Sequence, residues 1–196
     1  MNTNFLLVLT IIFTLSLNSK AIANSDSTFS SRFLFADSIV MKQIDSIINT
    51  SKMYLGKPYR FKNSLGEVMD CSNFIKYIFS YQNISLPRSS SEIATYSKKI
   101  AFEEIKKGDL LFFKGRNISS SSIGHVSLVI EKDENHIKMI HNSRRGVVID
   151  DFPLRYYKER FLFAGRLPVF ENVFIEKNPL NEGVEIEQLN SAGNPD

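Results

Sequence analysis

The hydrophobic pattern of this chain changes its period once, at the "KKGD" of residues 106–109. Before that point Val40, Ile44, Ile47 and Ile48 recur at helical spacing, and Phe74, Ile75, Ile78 and Phe79 form a second such stripe. After it, "DLLFF", "HVSLVI", "HIKMIHN", "GVVID" and "RFLFAGRLP" are short apolar or alternating runs parted by Gly, Ser and charged turn residues, which predicts antiparallel strands. Helices followed by consecutive strands give an α+β order.

The punctuation agrees with that reading. Asp37 or Ser38 is expected to cap the first helix, and Gly56 and Pro58 to end it. Asp70 is expected to cap the second, which runs from about Cys71 to Gln82. One of Ser89 to Ser91, with Glu92 in the first turn, caps a short third. With 196 residues, 43% of them hydrophobic, the chain fills one core, assigned to residues 37–169. Residues 24–36 read as a Ser-rich linker or arm, and 170–196 as a polar tail in which "NVFIE" is a possible edge strand.

Residues 1–23 contain an apolar run from Phe5 to Leu17 and then Ala21 and Ala23, the shape of an export signal cleaved after Ala23; the alternative is a short membrane anchor. Removing them takes one lysine and no acid from a formal charge of +3, leaving +2, too little to argue for nucleic acid. The protein is expected in the periplasm or outside the cell, with no stable membrane insertion after cleavage. A lipoprotein signal needs a cysteine at the cleavage point, and the single cysteine is Cys71.

A lone cysteine in an exported chain forms no internal disulfide, so it is either a small core residue or a reactive thiol. The first helical position favours thiolate, through free N–H groups and the positive end of the helix dipole, and suggests a pKa below the ordinary value of about 8.5. A thiolate nucleophile needs a base. Of His125, His136 and His141, His136 falls in a polar turn, whereas the other two sit on neighbouring predicted strands. In a hairpin the paired residue numbers keep a constant sum, so His125 and His141 share a face only if that sum is even. That requires an odd loop, such as Lys132 to Glu134, or a compensating bulge. On one face, His125 serves as base and His141 orients it, with no buried carboxylate required.

In "YLGKPYRF", "DCSNFIKYIF", "LPRSS", "KKGDLLFF", "GHVSLVI" and "IHNSRRGV", taken in order, the chain resembles the NlpC-type cysteine endopeptidases of the bacterial cell wall, over roughly Met53 to Pro168. The resemblance implies a papain-like core with Cys71 as nucleophile, His125 as base and His141 as the orienting third residue. It further implies Tyr59 as an oxyanion or substrate donor beside Cys71, Asp70 and Ser72 as contacts to a stem peptide, and Arg88 as a structural or site-lining residue. The implied reaction is hydrolysis of the γ-D-glutamyl to diamino acid bond of peptidoglycan or muropeptides, with no metal or cofactor. Asn73 stands where the family commonly has Gly, and the loop at "YRFKNSLGEVMD" lacks the usual Gly pair. The competing readings are a related thiol hydrolase or amidase on another substrate, including a secreted toxin, and a catalytically silent wall-binding scaffold.

Overall fold

Asp70 marks the start of the central helix by its backbone and its side chain. At φ −87° and ψ −172° it is extended, and its Oδ1 accepts the Asn73 N–H at 2.8 Å, satisfying one of the donors that a helix start leaves free. The computed structural model describes residues 37–134, 136–152 and 154–173; the expected signal segment, the arm and the tail beyond 173 lie outside them. Among the described residues no helix is long and apolar enough to cross a membrane.

Helix α1 covers 37–52, so Asp37 and Ser38 are already helical rather than capping. Helix α2 is Cys71–Ser80 and α3 is Ser90–Tyr96. Ser89 forms the expected capping box: its Oγ accepts the Glu92 N–H at 3.2 Å and Glu92 Oε2 accepts the Ser89 N–H at 2.9 Å. Six strands follow: β1 Lys98–Ile100, β2 Leu110–Lys114, β3 Ile123–Lys132, β4 Ile137–Ser143, β5 Gly146–Phe152 and β6 Phe161–Arg166, with the short helix α4, Arg155–Lys158, before the last. They form one antiparallel sheet in the order β1-β6-β2-β3-β4-β5.

The sheet is apolar on both faces. Phe74, Ile75, Ile78 and Phe79 of α2 pack with Ile44, Ile47 and Ile48 of α1 onto Leu110, Phe112, Val126, Leu128 and Ile140. Each such large side chain, fully withdrawn from water, stabilises the fold by about 1.5–3 kcal/mol. The opposite face carries a smaller cluster: Leu111, Phe113, Val129, Met139, Phe152 and Tyr157. Strand β1 was not expected from the sequence, and Asn172 and Val173 lie in a 3₁₀ turn, Pro168–Val173, rather than an edge strand. There Phe170 is buried against Phe79, ring centroids 6.3 Å apart.

The β3–β4 register resolves the parity question through a bulge. At the turn, Lys132 pairs with Ile137 and Glu131 with Lys138; past Ile130 the pairs become Val129 with Met139 and Leu128 with Ile140. The outer register, continued, would set His141 against Leu128, which faces the helices. The inner one sets it against Ser127, on the face shared by His125. One extra residue in β3 therefore brings the two imidazoles together.

Candidate active site

Cys71 is the first residue of α2, and its half-buried side chain packs at the edge of the helix-side core. The backbone N–H groups of Val126, Ser72 and Cys71 itself favour the thiolate. Burial is the larger influence, with the Asp70 charge second, and both push the thiol above its ordinary pKa. The expectation of a depressed pKa at the helix start is thus reversed: the same acid that caps the helix opposes a second negative charge one residue on.

Val126 is the chain neighbour of His125 on β3, so the sulfur lies beside that strand. Nε2 of His125 is 2.7 Å from Nδ1 of His141, the rings meeting edge to face at 72°. Burial first, and His141 second, pull the His125 pKa down to about 3. Burial thus favours the neutral form of both the thiol and the imidazole. Gly124, next to His125, sits at the irregularity where Phe113 pairs with His125 and Lys114 with Ile123; a Cβ there would collide with the backbone of Gly115, just past β2.

The structure adds a carboxylate that the sequence reading considered unnecessary. His141, 1% exposed, places Nε2 at 2.9 Å from Oδ2 of Asp150 on β5. The same oxygen accepts from the Arg145 guanidinium and the Tyr157 hydroxyl. Burial alone would raise the Asp150 pKa; these three hydrogen bonds outweigh it and hold the carboxyl at about 2. A pocket of about 430 Å³ lined by Arg144, Arg145, Asp150, Leu154, Tyr156 and Tyr157, among others, opens at this far end, and neither Cys71 nor His125 lines it.

Asp70, Ser72 and Arg88 form one unit at the helix start. Arg88 grips both Asp70 oxygens, at 3.1 and 2.7 Å, and donates to Ser72 Oγ at 3.1 Å, while Ser72 Oγ donates to Asp70 at 3.0 Å. Burial raises the Asp70 pKa, but Arg88, the Asn73 N–H and Ser72 bring it below the ordinary carboxylate value. The Asn73 side chain does not stand free: it donates to the Val68 carbonyl at 3.0 Å. Tyr59 is 38% exposed, and burial first, then the charges of Cys71 and Asp70, raise its hydroxyl pKa. Its neighbour Arg60 is held at φ +62°, with its N–H bonded to the Met69 carbonyl at 3.0 Å. His136 is a turn residue near Asp133, as its polar surroundings suggested.

A cysteine-bearing helix laid on an antiparallel sheet that carries paired histidines is the layout of a papain-like α+β fold. The model of the NlpC/P60 family matches residues 56–166, more than half of the chain, and the protein belongs to that family. It is 35% identical over 124 residues to a gamma-D-glutamyl-L-lysine dipeptidyl-peptidase of Bacillus cereus, a match covering 62% of this chain and 36% of that one. A bifunctional muramidase/DL-endopeptidase, CwlT, of Bacillus subtilis is 27% identical over 124 residues, 63% of this chain and 36% of the relative. The crystal structure of an NlpC/P60 family protein from Bacillus cereus superposes with a TM-score of 0.53 at 32% identity, covering 63% of this chain and 39% of that one. The chain thus spans little more than a third of the length of each of these relatives.

Proposed function

We propose that this protein is an exported cysteine peptidase that hydrolyses the γ-D-glutamyl to diamino acid bond of peptidoglycan stem peptides. The observation that carries the reading is the order of neighbours from the thiol to the paired imidazoles. The Val126 N–H favours the Cys71 thiolate, Val126 follows His125 on β3, and Nε2 of His125 is 2.7 Å from Nδ1 of His141. That engagement leaves Nδ1 of His125 as the nitrogen that takes the thiol proton in this reading. The relatives named above, a γ-D-glutamyl-L-lysine dipeptidase and a DL-endopeptidase, support the choice of bond.

In this mechanism the Cys71 S–H bond breaks as its proton moves to His125 Nδ1, and the sulfur adds to the amide carbonyl. The Cys71 N–H and the Tyr59 hydroxyl stabilise the developing oxyanion. Collapse expels the diamino acid amine, which takes the proton from His125 and leaves a Cys71 thioester. Water, giving its proton to Nδ1, then releases the γ-D-glutamyl carboxylate, and the sulfur recovers that proton. Because thiol and imidazole are both neutral at rest, proton transfer accompanies attack rather than preceding it. Asp70, Ser72 and Tyr59 line the acyl side, with Arg88 holding the first two in place.

The test is acid quenching during turnover of a γ-D-glutamyl peptide, followed by peptide mapping. An acyl adduct on the Cys71 peptide, absent from Cys71→Ser, is expected. Steady turnover by Cys71→Ser would refute the mechanism.

A further inference from the structure

The hydrogen-bond chain that runs back from His125 has a polarity, and Asp150 sets it. A carboxylate only accepts, so the nitrogen of His141 that faces it, Nε2 at 2.9 Å, carries the proton of that bond. Neutral imidazole has one N–H. Nδ1 of His141 is then an acceptor, and the group facing it at 2.7 Å, Nε2 of His125, is the donor. His125, also neutral, is left with a bare Nδ1. We propose that Asp150 is a positioning residue which, acting through His141, fixes the tautomer of His125 so that Nδ1, the nitrogen not engaged by His141, is its basic one. The inference rests on the peptidase reading only for its effect on turnover.

Without an acceptor at this place the chain could run the other way. With the proton on its Nδ1, His141 would make Nε2 of His125 the acceptor, and the His125 proton would sit on Nδ1, leaving His125 no basic nitrogen outside the pair. The surroundings of Asp150 keep it an acceptor. Arg145, from the β4–β5 turn, and the Tyr157 hydroxyl, from α4, both donate to Oδ2, and the Asp150 pKa of about 2 leaves it ionised at neutral pH. Tyr157 also lies 3.4 Å from His141 Nε2, and its ring meets the His141 ring at 80°. The charged and titratable groups facing the relay are therefore Cys71 at one end, and Asp150, Arg145 and Tyr157 at the other.

When His125 takes the thiol proton it becomes a cation. The His141 bridge then connects that cation to the Asp150 carboxylate without a further proton transfer, as in a serine hydrolase triad extended by one ring. Asp150 touches neither the thiol nor the carbonyl under attack.

The experiment is nitrogen NMR of the full chain with ring-labelled histidine at neutral pH, beside kcat/KM for Asp150→Ala and Asp150→Asn. In the wild type, Nε2 is expected protonated and Nδ1 bare in both His125 and His141. Asp150→Ala should populate both tautomers and lower kcat/KM roughly 10- to 100-fold, as losing the partner that orients a functional histidine does elsewhere. Asp150→Asn, with its amide oxygen in the Oδ2 position, should keep the tautomers and recover part of the loss. A proton on Nδ1 of His125 in the wild type would overturn the inference, whether or not the variants fold. So would Asp150→Ala with unchanged tautomers and unchanged kcat/KM. If the wild type shows the expected tautomers but cleaves no γ-D-glutamyl peptide, the peptidase reading fails and the positioning role stands.

Discussion

The Asn142 side chain donates to the Met69 carbonyl at 2.7 Å, joining the strand of His141 to the residue two before Cys71. The same carbonyl receives the Arg60 N–H at 3.0 Å, so strand β4, the nucleophile helix and the Tyr59 segment meet at one oxygen. Asn142 is completely buried, and among the described residues its Oδ1 has no hydrogen-bond partner.

Asn142→Ala removes that tie. We expect a loss of about 1–3 kcal/mol of stability, typical of a buried polar group deprived of its partner, together with a kcat that falls more than KM rises. Urea unfolding and steady-state kinetics measure the two; an unchanged kcat would show that Met69 does not place the nucleophile.

Cys71 should behave as a thiol rather than a preformed thiolate. Burial and the Asp70 charge raise its pKa, so alkylation by iodoacetamide is expected to be slow in the mildly acidic range and to climb through the alkaline one, past the ordinary cysteine value of about 8.5. Asp70→Asn should shift the curve toward lower pH. A rate already at its plateau below neutrality would contradict this.

Stability should fall on the acid side. The folded-state pKa of His125 is about 3 against an ordinary value of 6.5, so between these the unfolded chain binds the additional proton, and stability drops as pH is lowered through that window. The Asp150 carboxyl, at about 2, adds a loss in the same direction below its ordinary value of 3.8. Urea midpoints measured across this range should decline toward acid, and His125→Asn should flatten the upper part of the decline. A midpoint independent of pH there would sink the assignment of a buried neutral imidazole.

Gly124→Ala tests the close backbone contact beside His125. Its Cβ would meet the Gly115 backbone, so we expect about 1–3 kcal/mol of destabilisation and a marked loss of turnover, whereas Gly115→Ala, whose Cβ would sit 3.5 Å from Gly124 Cα, should be milder. Equal effects of the two would mean that the strands separate freely.

What the sequence could reveal followed from how local each signal is. The caps at Asp70 and Ser89 and the stripe from Phe74 to Phe79 are written within a few residues and were legible. The shared face of His125 and His141 was legible only as a condition, because a bulge at Ile130 has no marker in an apolar run. Asp150 was missed, yet the same parity argument finds it. Arg144 and Arg145 make a two-residue turn that pairs Ser143 with Gly146 and His141 with Val148, which puts Asp150 on the face of His141. Strand β1 was beyond reach: Lys98–Ile100 has no alternation, and it pairs with a strand more than sixty residues later. The raised thiol pKa depended on weighing burial against the helix start, and burial is a property of the folded chain.

The most direct measurement is mass spectrometry of muropeptides incubated with the purified protein and, separately, with Cys71→Ser. New fragments ending in γ-D-glutamate are expected with the wild type alone. The same fragments from Cys71→Ser, or wild-type products cut at a different bond, would contradict the peptidase reading.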